Sequence, residues 1–292
     1  MSNTSLSSSA LLVTLSLSAY SGNKLDRSVS DEIDHNKNTQ TRAGKYTKSL
    51  FADEASLKAI AQHDSSTRQL HKQYTLPWTF DGVALLPMPL YMQYLNVMGQ
   101  REQERKALVT DFLTNYNNII SQQAFKLGDL FDRDDYPSEW EVSTKFRFDI
   151  QFNPLPESGD FRVDIGAEGL KKLQDKYEAQ LQTAVQDAMS SLLDRFKLVV
   201  QRMVTQLRDT DVDEKKPRIY DSLLGNARDL IDMIPAMNIA NDTQLEYFRQ
   251  QLHNTIDGIE TEDLKLDDFL RRRVRDTASD ILDKWSWWCT PR

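Results

Sequence analysis

The stretch Lys145-Phe146-Arg147-Phe148-Asp149-Ile150-Gln151-Phe152 decides the fold class. Phe146, Phe148, Ile150 and Phe152 fall on one face, and Lys145, Arg147, Asp149 and Gln151 on the other. Alternation with period two is the mark of a half-buried strand. Past Pro154-Leu155-Pro156-Glu157-Ser158-Gly159, Phe161, Val163 and Ile165 alternate again. The pair reads as an antiparallel hairpin with one oily face.

Most of what flanks this β-element is helical. Residues 167–208 contain no proline and carry Leu170, Leu173, Tyr177, Leu181, Val185, Ala188, Leu192, Phe196, Val199, Met203 and Leu207. Their mean spacing of about 3.7 residues exceeds the 3.5 of a heptad, so the helix is expected to run nearly straight, on the order of 60 Å long. On the other side, residues 90–131 show Leu90, Tyr94, Val97, Met98, Leu108, Phe112, Tyr116, Ile119, Ile120, Leu127, Leu130 and Phe131 at helical spacing. The run 99–106 is polar all round, which means a solvated middle or a break near Gly99. Asp135-Tyr136-Pro137-Ser138 ends this segment, because the residue before a proline avoids the α region.

At the N-terminus, Leu11, Val13, Leu15, Leu17 and Ala19 alternate with polar residues as a strand does, up to a turn at Ser21-Gly22-Asn23. Residues 27–48 hold few large apolar side chains and read as a weakly ordered or partly helical connector. Residues 52–74 suggest a helix, and Val83 to Leu86 a short strand after the Asp81-Gly82 turn signal. Beyond the charged stretch 209–217, helices are expected at about 218–234, 242–259 and 264–285.

The sum is an α+β, mostly helical chain. Two long antiparallel helices are joined by a β-hairpin that pairs with an N-terminal strand, and a C-terminal bundle of three shorter helices follows. The expected division is 1–209 for the strand, hairpin and long-helix domain and 217–292 for the bundle.

With 292 residues, 39% of them hydrophobic, the chain can bury a core without metal or disulfide staples. Its one cysteine, Cys289, rules out an intramolecular disulfide, and the expected compartment is the reducing cytoplasm. No Lys or Arg precedes the apolar run 10–19 as a signal peptide requires, and no segment reaches the roughly twenty apolar residues of a membrane span. A net charge of −8 argues against a surface that attracts nucleic acid everywhere, while leaving room for a local basic groove.

Chemistry-bearing patterns are sparse. His35, His63, His71 and His253 are scattered without metal-ligand spacing. The acidic residues Asp129, Asp132, Asp134, Asp135, Glu139 and Glu141 lack the alternating ligands and central glycine of a calcium loop. Gly166 and Gly169 open a helix without a P-loop's lysine and threonine. No catalytic, metal or cofactor site is expected, and the chain reads as a non-enzyme.

Two surfaces remain as candidates. Arg271, Arg272, Arg273 and Arg275, with Lys145 and Arg147 on the polar face of the hairpin and Trp285 as a stacking ring, form a candidate contact for single-stranded nucleic acid. Flanking Asp263, Asp267, Asp268, Asp276 and Asp280 offset that charge. Trp285, Trp287 and Trp288 either pack back on the helices or form a partner-binding site.

The segments running from Leu15 through Leu25, Thr75-Leu76-Pro77-Trp78 to Leu85-Leu86-Pro87, Leu127-Gly128-Asp129-Leu130-Phe131, Asp135-Tyr136-Pro137-Ser138, Lys145-Phe146 and Asp160-Phe161-Arg162-Val163 carry a resemblance. Over its first two thirds the chain resembles a family of phage and mobile-element proteins whose members tend to be encoded near MoxR-like or CobS-like AAA ATPases and von Willebrand A-type proteins. The resemblance implies no catalytic residues; Pro77, Trp78, Gly82, Pro87, Gly128, Pro137 and Arg162 look like turn formers and packing anchors. It implies an accessory or adaptor in an AAA ATPase assembly; together with the long amphipathic helices and the lack of a catalytic cluster, the expectation is a cytoplasmic oligomer acting by protein contact, with the ATPase as partner. The alternative from the basic run is a single-stranded DNA-binding or annealing protein of phage replication or recombination.

Overall fold

The computed structural model describes residues 6–78, 82–156, 166–208 and 218–288, with side chains as far as Trp285. In chain order the elements are α1 (Leu6–Ser9), β1 (Ala10–Ser18), β2 (Asn23–Asp26), α2 (Arg27–Asn36), β3 (Tyr46–Ser49), α3 (Ala55–Tyr74), β4 (Leu76–Pro77) and β5 (Val83–Pro87). They continue with α4 (Tyr91–Thr114), α5 (Tyr116–Leu127), α6 (Glu139–Ser143), β6 (Arg147–Pro154), α7 (Gly166–Gln206), α8 (Ser222–Met237), α9 (Thr243–Ile256), α10 (Thr261–Leu266) and α11 (Asp268–Trp288). The chain is thus α+β and mainly helical, with a small sheet in the order β4-β5-β1-β6. β1 and β5 are antiparallel, with Leu12 opposite Leu85.

The expected strand at 145–152 is displaced by two residues. Ser138 and Glu141 form a capping box that starts α6, and Lys145 lies in the turn that leaves it, its N–H bonded to Val142 O at 3.0 Å. β6 therefore opens at Arg147 and ends at Pro154. The second arm, Phe161 to Ile165, lies outside the described residues.

The chain divides into two compact units, one of residues 1–14, 72–92 and 152–292 and the other of residues 15–71 and 93–151. In the second, the connector expected at 27–48 is ordered as α2 and β3. Asp26 caps α2 by accepting the Val29 N–H at 3.2 Å, and β3 pairs with β2 from Tyr46 to Ser49. Gly22 turns the chain ahead of β2 with φ of 64°, where an added Cβ would lie 2.9 Å from the Phe51 ring. Phe51 packs edge-on against Tyr20, Phe112 and Tyr136 in a core with Leu50, Ile60, Tyr116, Ile119, Ile120 and Val142. Tyr136 donates its hydroxyl proton to Leu50 O at 2.8 Å, and burial pushes its pKa up to about 12.

The helix expected over 90–131 is interrupted at Asn115 and not at Gly99, which sits inside α4. Asn115 Nδ2 donates to Asp111 O at 2.9 Å, so the side chain competes for a carbonyl of the preceding turn. Nor is the polar run 99–106 solvated throughout, because Arg105 is buried.

In the first unit α7 spans 41 residues, as its apolar spacing predicts. From Ala188 onward it is buried on one side, through Met189, Leu192, Phe196, Val200 and Met203, and packs with α8 and α11, while α9 packs with α8 and α11. Pro235 does not end α8, which runs on to Met237. The expected helix 264–285 is two helices. Asp267 leaves the helical region at φ −110°, ψ 102°, and its Oδ1 accepts the N–H groups of Phe269 and Leu270, so it caps α11. The expected division at 209–217 lies outside the described residues, and α7 and α8 belong to one unit.

Candidate functional site

α7 has two halves of unlike environment. Before Ala188 none of its residues is buried, yet the apolar stripe continues there through Leu170, Leu173, Tyr177, Leu181, Ala184 and Val185, all half-buried. Together with Trp78 this half forms an open groove of about 580 Å³, with Lys176 at one end, Leu181 in the middle and Asp187 at the other. Tyr177 anchors the groove by donating to Pro156 O at 2.6 Å. Leu76 lies fully buried next to Trp78, and Arg195 of α7 donates to Lys72 O at 2.7 Å and Thr75 O at 2.9 Å. The segment that leads to Trp78 is therefore tied to α7 beyond the groove. Neither Lys176 nor Asp187 has an ion-pair partner among the described residues. A concave apolar surface with one ammonium and one carboxylate suits an amphipathic helix of a protein partner.

The arginine run separates into distinct environments. Arg271 is buried and bonded to Asp268 at 2.8 Å, and Arg275 pairs with Asp276 at 2.7 Å. Arg272 and Arg273 are exposed. Trp285 is 3% exposed, its ring stacked on Phe196 at 5.3 Å and tilted against Phe248 at 5.2 Å. Enclosed in this way, it has no face to offer a base, and of the two readings of the indoles it follows the packed one. The side chains of Trp287 and Trp288 lie outside the described residues. Lys145 and Arg147 are exposed in the other unit, the first in the turn after α6 and the second at the start of β6.

Sequence reasoning overlooked the ring beside those arginines. Phe269 is 84% exposed and Leu266 85%, with Arg272 and Arg273 three and four residues beyond Phe269 on α11. Side chains at those spacings share a helix face. The signal lay in Leu266 and Phe269 flanking Asp267 and Asp268 at a helix start, where apolar residues lack a core-facing register.

The second unit holds a polar interior between α3 and α4. Arg105 donates from Nε to Asp64 Oδ1 at 2.6 Å and from Nη2 to Asp64 Oδ2 at 3.0 Å and Ser18 O at 2.6 Å. Its guanidinium carbon lies 6.0 Å from the centre of the Phe146 ring. Next to it, Arg101 donates to Thr67 Oγ1 at 3.1 Å, His63 O at 3.1 Å and Glu104 Oε2 at 2.8 Å. Burial holds the His63 pKa below its ordinary value, with Arg101 acting the same way. His71 Nδ1 lies 2.8 Å from the Tyr94 hydroxyl, whose pKa burial drives upward.

A second polar cluster joins Asp135 to Lys24 and Lys48, with Lys48 also 3.5 Å from Asp26. Burial alone would raise the Asp135 pKa, but the two ammoniums outweigh it and the net shift is downward. These groups line a groove of about 800 Å³ together with Arg27, Asp129 and Asp132. Its charges are mixed in sign and partly satisfied by one another. Among the described residues no three His, Cys, Asp or Glu side chains gather as a metal site, and no helix is long and apolar enough to cross a membrane. No protein family, curated protein or solved structure matches the chain.

Proposed function

We propose that this chain acts by protein contact, as a non-catalytic accessory subunit that uses the open half of α7. The observation that carries this reading is the apolar stripe of α7 continuing for some five turns past the point where α8 and α11 cover it. Amphipathic helices are commonly met by partner helices through such stripes. In the other unit, the buried Asp64 and Asp135 are engaged by Arg105, Lys24 and Lys48, which suits a structural role better than acid–base work. The resemblance to phage and mobile-element proteins supplies the partner, a MoxR-like AAA ATPase in the host cytoplasm, with this chain as its oligomeric adaptor. Co-expression with that ATPase followed by size-exclusion chromatography tests the reading. Co-elution and an altered ATPase rate are expected, both lost in Leu181→Glu. Separate elution of the wild-type proteins with an unchanged rate would overturn it.

The exposed trio Phe269, Arg272 and Arg273 favours a second reading, a single-stranded DNA-binding protein of phage replication or recombination. An aromatic face next to guanidinium groups is how such proteins hold a strand without reading its sequence. Phe269 takes the part that the sequence suggested for Trp285.

A further inference from the structure

Resting on the protein-contact reading, we infer that the groove on the open half of α7 is occupied by the same groove of a second copy, the two helices lying antiparallel about a two-fold axis beside Leu181. The groove is charged at its ends and mainly apolar between them, where Gln180 and Thr183 are its polar residues, with Lys176 and Asp187 eleven residues, or about 16 Å, apart on the helix. Eleven residues make three turns, so the two side chains project from the same flank of α7. In an antiparallel pair the same flanks face each other. Each Lys176 therefore meets the partner's Asp187, and the symmetry makes the contact twice. The same register places the axis between Leu181 and Gln182, so the two Leu181 side chains lie beside it, and brings Tyr177 level with the partner's Gln186. A parallel pair would instead bring opposite flanks together, leaving both Lys176 and Asp187 without a charged partner across the axis. A surface whose charge inverts end to end about its own middle is self-complementary, which an isologous interface requires.

Other features agree with this occupant. Lys176 and Asp187 are exposed and have no ion-pair partner within the described chain, so pairing them across the axis breaks no existing bridge. Ala179 and Ala184 lie toward the middle of the groove, where short side chains let two helix backbones approach. The spacing of the stripe fits near-straight helices, so a few turns can pair without supercoiling.

Sedimentation velocity on the full chain, from about 1 to about 200 µM, tests the inference by mass action. The wild type is expected to pass from monomer to dimer with rising concentration. Reversing either charge alone, Lys176→Asp or Asp187→Lys, sets like charges together twice and should weaken dimerisation by about tenfold or more. The double variant K176D/D187K restores opposite charges and should recover most of the wild-type affinity. That recovery also shows that the single variants failed at the interface and not in folding, which far-ultraviolet circular dichroism checks independently. A wild type that stays monomeric over the whole range overturns the inference, as does a dimer unaffected by either single reversal or a double variant no better than the singles. A monomer that still co-elutes with the ATPase overturns only the dimer. A charge-swappable dimer that never co-elutes overturns only the adaptor.

Discussion

Asp64 and Arg105 meet as a bidentate ion pair, 2.6 and 3.0 Å apart, with side chains 4% and 5% exposed. Removing one partner leaves a buried charge uncompensated. Asp64→Asn and Arg105→Ala are each expected to cost about 3–5 kcal/mol, measured by urea unfolding. The double variant Asp64→Leu with Arg105→Met should cost less than either single change. It is not expected to be free of cost, because Ser18 O loses the donor that Arg105 provides.

His63, beside this pair, makes stability depend on pH. Burial and then Arg101 hold its folded-state pKa below 6.5, outweighing Glu104 and Asp64, which favour the imidazolium. The unfolded chain therefore binds the proton more tightly than the folded one. The contribution is fully present above the unfolded value and is lost as pH falls from there through the folded value. In urea titrations at about pH 7.5 and about pH 5, the wild type should lose more stability on acidification than His63→Gln does. Equal losses would remove His63 as the cause.

Gln123 of α5 is fully buried, and neither polar atom of its amide has a hydrogen-bond partner among the described residues. Replacing it with methionine of similar shape is expected to raise stability by about 1–3 kcal/mol, since the cost of desolvating the amide disappears. Loss of stability in Gln123→Met would show that the amide is satisfied in solution.

Trp285 and Phe269, both on α11, should respond in opposite ways. Trp285→Ala removes a ring packed on Phe196 and Phe248 and is expected to cost about 3–5 kcal/mol in unfolding free energy. Phe269→Ala should change stability by less than about 0.5 kcal/mol, as exposed positions do.

Under the single-strand reading, Phe269→Ala should instead weaken binding to an unstructured oligonucleotide in fluorescence anisotropy, by about 1–3 kcal/mol for a stacked base. Removing Arg272 and Arg273 should flatten the salt dependence. Micromolar wild-type protein that leaves the oligonucleotide unbound at about 50 mM salt eliminates this reading.

Legibility in the sequence followed the reach of the forces involved. α7 and β5 could be read because their side-chain periods are local properties, and the apolar stripe of α7 announced itself over eleven turns. The break at Asn115 was hidden because it depends on one side chain bonding to the carbonyl of Asp111, while Gly99, the obvious suspect, needed nothing special within α4. The run 99–106 looked solvated because Asp64, which draws Arg105 inside, is 41 residues away in sequence. Of the two readings of residues 27–48, weakly ordered or partly helical, α2 bears out the second, while β3 could not be settled from sequence because it exists only where β2 is there to pair with it. At the arginine run, composition showed the charge but not which guanidinium groups were already engaged, and Arg271 proved buried against Asp268.

The interleaving of the two units bears on how the chain is made. Ala10 to Thr14 pair with Val83 to Pro87, and all of residues 15–71 belong to the other unit. On a ribosome the first strand therefore emerges with its hydrogen-bonding edge unfilled and waits for roughly 70 more residues, about 4–15 s at cellular rates of synthesis. During that interval an apolar, unpaired edge is open to any neighbouring nascent chain, which makes the yield of soluble protein sensitive to translation speed and to chaperones that shield such edges.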